Sequence, residues 1–411
     1  MRKIAIGFLY IVIFLLCDKM RIDAIGERFL LMKFFDLIDK KLIKNIDLRI
    51  IISILLLFAI GIVFISSATK VAYGGSLSYV KIQMVAFILG IIGAGLVLFF
   101  DYNTFGEMEK VIYAINIILL ISVFIFGQEI KGSKSWIIFG PLSFQPSEIV
   151  KIGFILCFAK QLEKREETLN TFKGFLPLLL YIAPVILLIM KQPDFGTALV
   201  FVFFSFFMLY SAGLSYKFIA IMGGLGTISI PILWFYYFGE YQKYRIMVFF
   251  NPEMDPLGRG YHVIQSKIAI GSGQLIGKGL FKGTQNNLGF IPERHTDFIF
   301  SVIGEELGLL GSILVIILFM WLIMRCIYIA KISKDSYGKY ITVGIMAMFL
   351  FHILENIGMT MGIMPVTGIP LPFISYGGSS LLTNMIAIGL VLNVGMRRQL
   401  IRFYIKMWKD R

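Results

Sequence analysis

The sequence predicts an all-α polytopic membrane protein, and three observations carry that expectation. Of 411 residues, 58% are hydrophobic and 16% charged, against roughly 45–50% and about 25% in soluble domains. Apolar runs of about 18 to 22 residues recur along the chain, each long enough to cross a hydrocarbon core of about 30 Å as a helix. The sequence lacks the ten-residue alternation of an outer-membrane barrel, and helices satisfy their own backbone groups within a bilayer.

In order, spans are expected near 48–67, 80–100, 110–127, 145–161, 174–190, 196–212, 217–238, 298–324, 340–363 and 373–395, about ten helices. Basic residues orient them. Lys40, Lys41, Lys44 and Arg49 precede the first span, Lys160, Lys164, Arg165 and Lys173 follow the fourth, and Arg325, Lys331, Lys334 and Lys339 follow the eighth. Arg397, Arg398, Arg402, Lys406, Lys409 and Arg411 close the chain. The short connections on the other side hold only Lys70, Lys81, Lys131, Lys134 and Lys191. By the positive-inside rule both termini are cytoplasmic. The net charge of +14 is then a topology signal. Its clusters flank spans and form no basic domain interleaved with aromatics, so nucleic acid is not an expected partner.

Residues 1–45 form an N-terminal extension with no assigned role. Its run IAIGFLYIVIFLLC is too short for a full span and suits a signal-peptide core or a surface anchor, yet Cys17-Asp18-Lys19 offers no small-residue cleavage site. Met20 and Met32 are alternative starts. Residues 46–400 read as one transmembrane domain and 401–411 as a basic cytoplasmic tail. Cys17, Cys157 and Cys326 are odd in number and imply no disulfide framework.

This topology leaves one long extracytoplasmic connection, residues 239–297, and long ordered connections are usually functional. It contains NPEMDPLGRG (251–260), which sets Glu253 and Asp255 between two prolines at the lip of the bilayer. Downstream, YHVIQSKIAIGSGQLIGKGL is apolar and amphipathic enough to lie along the interface. Within it, GSGQLIGKG reads as flexible turns rather than a phosphate cradle, because no strand leads into it.

Five segments resemble one family. They are GSKSWIIFGPLSFQPSEIVKIG (132–153), KQPDFGTA (191–198), NPEMDPLGRGYHVIQSKIAIGSG (251–273), ERHTDFIFSVIGEELGLLG (293–311) and TGIPLPFISYGGSSLLTNMIAIG (367–389). In this order they resemble the SEDS proteins of shape, elongation, division and sporulation, over about residues 42–400, and more the elongation branch than the division branch. The resemblance implies a ten-span peptidoglycan glycosyltransferase that polymerises lipid II, an undecaprenyl-pyrophosphate disaccharide pentapeptide. It also implies a class B penicillin-binding protein, a transpeptidase, as partner and the bacterial cytoplasmic membrane as location. The N-terminal extension departs from the family pattern.

The chemistry of such a reaction asks for a carboxylate base and something cationic for the leaving pyrophosphate, both at head-group depth. Asp255 fits the first demand, with Pro256 biasing it away from helical geometry. The family's catalytic aspartate lies in the same NPExDP context and maps onto Asp255. Glu253 is expected to face water.

Inside the spans, Glu148 and Lys151 are spaced to pair on one helix, with Ser147 beside them; ionisable groups at membrane depth suggest function, and a structural ion pair is the plain alternative. Trp136 matches a functional tryptophan of the family motif, and an interfacial belt residue is its plain alternative. Lys191 and Asp194 occupy a short outer connection, where Asp194 could cap the next helix. Glu293, Thr296 and Asp297 lead into the eighth span, with Asp297 a candidate cap. Of Glu305 and Glu306, one should face the bundle interior. His352, Glu355 and Asn356 share a helix face and read as a buried hydrogen-bond network rather than a metal site. PLPFISYGGSS suggests a re-entrant or broken segment lining a cavity at a span entrance, with Ser379, Ser380 or backbone amides as candidate phosphate contacts and Ser375 as a cavity-lining candidate. Gln145, Lys267, Gln285 and Glu306 complete the candidate substrate-binding or cavity-lining set. No metal ligand is assigned; Mg or Mn carried mainly by substrate phosphates would leave little trace in a sequence. The alternative function is a flippase for the lipid-linked precursor, disfavoured because no inverted repeat is visible and the chemistry-bearing residues gather on one face.

Overall fold

The computed structural model describes residues 45–70, 77–130, 133–139, 142–255 and 258–397. Expectations for the N-terminal extension, Lys131, Pro256 and the basic tail lie outside the described residues. Helices α1 (Leu48–Lys70), α2 (Ser78–Phe99), a short α3 (Tyr102–Glu107) and α4 (Glu109–Phe126) come first. A three-stranded antiparallel sheet follows, β1 (Gln128–Ile130), β2 (Ser133–Phe139) and β3 (Leu142–Phe144). Next are α5 (Pro146–Lys164), α6 (Phe172–Lys191), α7 (Phe195–Ser211) and α8 (Tyr216–Ile232). The long connection holds α9 (Glu240–Phe250), α10 (Arg259–Ser272) and α11 (Thr284–Asn287), and α12 (Ile299–Lys331), α13 (Ser336–Thr360) and α14 (Gly378–Arg397) complete the bundle.

Eight described helices, α1, α2, α4, α6, α8, α12, α13 and α14, are long and apolar enough to cross a membrane. The other two expected spans are α5, which carries Glu148, Lys151, Lys160, Glu163 and Lys164, and α7, of 17 residues. Boundaries differ from expectation by several residues in places, and the eighth helix runs on to Lys331 rather than ending near 324. The ninth helix begins at Ser336, where Asp335 caps it by accepting from Gly338 N–H, and the tenth begins only at Gly378.

The sheet is an addition to the expected all-helical plan. Between α4 and α5 the backbone pairs with itself, Glu129 opposite Lys134 and Ile137 opposite Phe144. Strands of three to seven residues are too short to print a period-two pattern on the sequence.

The core is formed around α13 and α14, whose faces are mostly buried. Helix α14 packs along α2, with Gly389 against the backbone of Ala94, and Phe58 of α1 stacks on Phe87 of α2 at 3.8 Å between ring centroids. At one end of the bundle the Asp47 carboxylate pairs with Arg325 of α12, whose guanidinium stacks over Tyr328.

Helix α12 is broken at Gly308, with φ +66° and ψ −159°, a conformation essentially confined to glycine. The long connection restores the hydrogen bonds lost there. Leu309 and Leu310 donate their N–H groups to the carbonyls of Gln274 and Leu275 at 2.8 and 3.1 Å, and Lys278 and Gly279 donate to those of Glu305 and Glu306, each at 3.0 Å. GSGQLIGKG is therefore not the flexible turn expected from its glycines. It is pressed into the break, where it pairs backbone groups that would otherwise be left unsatisfied in the protein interior.

A Cβ at Gly308 would collide with the backbone of Leu275 and Gly277. Gly308→Ala is accordingly expected to destabilise the protein by at least about 1–3 kcal/mol, measured as a lower thermal unfolding midpoint in detergent. An unchanged midpoint would show that the break is not required.

Candidate active site

The acidic turn joins α9 to α10. A single 3₁₀ turn at Pro252–Met254 reverses the chain, and Asp255 follows with φ −136° and ψ +67°, outside the helical region. Its N–H donates to the Pro252 carbonyl at 3.3 Å and its carbonyl accepts from Tyr261 N–H at 3.2 Å, so Asp255 is tied to the first turn of α10. The side chain is half-buried, whereas Glu253 is exposed. A Cβ on Gly258 would collide with the Asp255 carboxylate, which shows how tightly the chain folds over it.

The position of α10 is set by buried hydroxyls. Ser266 Oγ lies 2.6 Å from Ser301 Oγ on α12 and donates to the Thr360 carbonyl at the end of α13, also at 2.6 Å. Between α9, α10 and the segment after α13 a small recess is lined by Arg245, Val248, Phe249, Val263, Met364 and Val366. Arg245 was not singled out from the sequence; only the division of the long connection into helices brings it there from α9. Lys267 is exposed on α10, with its side chain lying against Gly362.

Polar side chains on and beside α5, α7 and α13 form a second group. Pro146 opens α5 after Gln145. Lys151, 2% exposed, places Nζ 2.8 Å from Glu148 Oε1 and 3.2 Å from His352 Nε2. An ammonium only donates, so Nε2 accepts and the ring proton sits on Nδ1. Ser147 is buried beside this pair. Asp194 caps α7 by accepting from Thr197 N–H at 3.1 Å and takes the Gln145 amide at 2.9 Å. Desolvation raises the Asp194 carboxyl above its ordinary value, against the lowering effect of Thr197 and the Lys151 charge. Glu355 accepts from Thr367 Oγ1 at 2.8 Å, and Asn356 donates to the Asp297 and Ile369 carbonyls at 2.9 and 2.8 Å. The face shared by His352, Glu355 and Asn356 thus serves three separate contacts. Trp136 is half-buried in β2 opposite Gln128, and Lys134 N–H donates to the Gln192 carbonyl at 3.2 Å, next to the exposed Lys191.

A second carboxylate centre closes the long connection. Glu305 and Glu306 are both fully buried. Glu305 accepts from Lys278 Nζ at 2.8 Å, Thr284 Oγ1 at 3.1 Å, Gln285 N–H at 2.8 Å and Asn286 N–H at 3.0 Å. Glu306 accepts from Ser67 Oγ at 2.5 Å, Phe281 N–H at 3.0 Å and Asn286 Nδ2 at 3.1 Å. Arg294, which sequence reasoning missed, donates to the Ala68 carbonyl at 2.8 Å and to that of Asn286. Gln285 and Glu306 are therefore brought together in this clasp. Glu293 and Thr296 bond to each other at 3.1 Å. The cap position of α12 is Phe298, one residue beyond Asp297, for which the sequence offers two readings, capping and substrate contact. Ser375 Oγ donates to the Thr296 carbonyl at 2.7 Å and accepts from Leu371 N–H at 2.9 Å, while Ser379 lies in the first turn of α14.

The sequence matches the profile of the FtsW/RodA/SpoVE cell cycle proteins over residues 47–400. The chain belongs to that family. It is 43% identical over 290 residues to the peptidoglycan glycosyltransferase MrdB of Escherichia coli K12, covering 71% of this chain and 78% of that one. It is 38% identical over 358 residues to the stage V sporulation protein E of Bacillus subtilis, covering 85% and 96%. Among solved structures, a chain of a peptidoglycan synthase complex superposes with a TM-score of 0.74 at 30% identity, covering 86% of this chain and 98% of that one. The rod shape determining protein RodA of Thermus thermophilus superposes with a TM-score of 0.65 at 29% identity, covering 86% and 97%.

Breaking the Glu148–Lys151 pair from one side strands a buried charge. Glu148→Gln and Lys151→Met are each expected to cost about 3–5 kcal/mol, read as loss of folded protein extracted from membranes. The double variant should recover most of that yield. Single variants as stable as the parent would contradict the burial of the pair.

Proposed function

We propose that this chain is a membrane peptidoglycan glycosyltransferase that polymerises lipid II into glycan strands at the outer face of the cytoplasmic membrane, with Asp255 as general base. One observation carries the reading: the turn that matches the family's catalytic context holds Asp255 half-buried against α10 while Glu253, two residues away, is exposed. A base must reach the attacking sugar hydroxyl at roughly 2.6–3.2 Å, so it needs a fixed backbone beside a recess. The hydrogen bonds to Pro252 and Tyr261 supply the fixed backbone, and a small recess lined by Arg245 lies between α9 and α10, the helices that flank the turn. Phosphate oxygens of the leaving pyrophosphate are suited to cations at this surface, Arg245 and Lys267.

The reaction transfers the growing glycan from its polyprenyl pyrophosphate to the hydroxyl of the incoming disaccharide. Asp255 takes the hydroxyl proton as the new glycosidic bond forms, and the pyrophosphate departs with the bonding electrons. The elongation branch of the family, maintaining rod shape, is supported by the match to MrdB and the RodA structure. Coupling to a class B penicillin-binding protein is supported by the likeness to a chain whose complex coordinates polymerization and crosslinking. Mg or Mn, carried on the substrate phosphates, would assist departure of the pyrophosphate.

Asp255→Asn keeps size and removes the basic oxygen. It is expected to lower glycan synthesis by about 100-fold to 10,000-fold, while Glu253→Gln stays near normal, with membrane insertion and precursor binding checked for both. Near-normal synthesis by the Asp255→Asn protein rules the assignment out. The orientation is tested separately. A cysteine at the exposed Lys282 should react with an impermeant maleimide on intact spheroplasts; reaction only after permeabilisation would reverse the topology.

A further inference from the structure

Leu275 and Ile276 are 63% and 79% exposed, although they lie within the segment pressed into the break of α12. Their depth can be read from the helices around them. Helix α1, 23 residues from Leu48 to Lys70, rises about 33 Å at roughly 1.5 Å per residue, close to a hydrocarbon core of about 30 Å. At one end, Asp47 beside α1 pairs with Arg325 of α12. At the other, the Lys70 ammonium lies over the Phe281 ring, 5.2 Å from its centroid. These two contacts mark the levels of the two head-group regions.

Leu310 precedes Arg325 by fifteen residues, about 22 Å of unbroken helix. Its N–H donates to the Leu275 carbonyl at 3.1 Å, so Leu275 shares its level, about 8 Å below the boundary of a 30 Å core. Leu309, Leu310 and Ile313 present exposed side chains on α12 at the same depth. We propose that Leu275 and Ile276 form a re-entrant wedge inserted among lipid acyl chains beside α12. The surface is continuous with the lipid-facing side of a membrane helix, which names the occupant as hydrocarbon. Non-helical backbone is admissible there because the broken helix pairs it. The cation within the segment itself, Lys278, is neutralised by Glu305 at 2.8 Å. The wedge fixes the long connection at two heights, Phe281 near the head groups and Ile276 below them, and this holds whatever reaction the acidic turn performs.

The test places a nitroxide on Ile276→Cys in the full chain, with Cys17→Ser to remove the one cysteine outside the buried pair Cys157 and Cys326. The protein is held at one copy per lipid nanodisc. Labels at Leu310→Cys and Glu253→Cys serve as hydrocarbon and water references. Collision with oxygen should dominate over collision with a nickel chelate at 276, as at 310. Nickel accessibility equal to that at 253 would place the tip in water and overturn the proposal. Protection from both reagents would mean that protein covers the tip, and would equally overturn the lipid assignment.

Discussion

A backbone N–H or C=O shut away from water must find a partner within the protein, and in this chain that requirement decides how the long connection can fold. Helix α12 stops being a helix at Gly308, releasing carbonyls and amides that a continuous helix would have kept. Residues 274–279 supply the missing partners. The connection is consequently held at α12, and α10, which runs from the acidic turn to that segment, is fixed at its far end.

Two carboxylates complete the attachment. Glu305 and Glu306 are adjacent in sequence and fully buried, and such an arrangement is tolerable only if the charges are met by donors of good geometry. Lys278, three backbone amides, two hydroxyls and the Asn286 side chain meet them. The clasp therefore joins α1, α11 and α12 in one polar centre. Ser266, halfway along α10, adds α13. The place of Asp255 at the start of α10 is thus a consequence of contacts made well away from it.

The spans were legible because a bilayer imposes length and apolarity directly on sequence. Pairing of Glu148 with Lys151 was legible from helical spacing alone. The third member of that contact, His352, lies 201 residues on from Lys151, a separation that no local pattern records. The broken helix was hidden for a different reason: its glycine sits in an apolar run that reads as ordinary span, and its partner segment reads as loose turns. Arg245 and Arg294 escaped notice because a lone arginine in a long connection has no spacing to interpret. Glu306 and Gln285 were singled out as candidate substrate-binding or cavity-lining residues, but their shared setting in the clasp depends on tertiary folding. The turn itself was marked by its two prolines and two carboxylates, and the distinction between Asp255 and Glu253 follows from one being folded against α10 and the other left in water.

The central claim is that this chain itself forms glycosidic bonds. Purified protein in nanodiscs, supplied with lipid-linked disaccharide pentapeptide and analysed for glycan polymer, tests it most directly, with and without a class B transpeptidase. Polymer that disappears when the chain is omitted is the predicted result. No polymer in either condition, together with translocation of the same precursor across liposomes containing the chain, would contradict the account and make the protein a transporter.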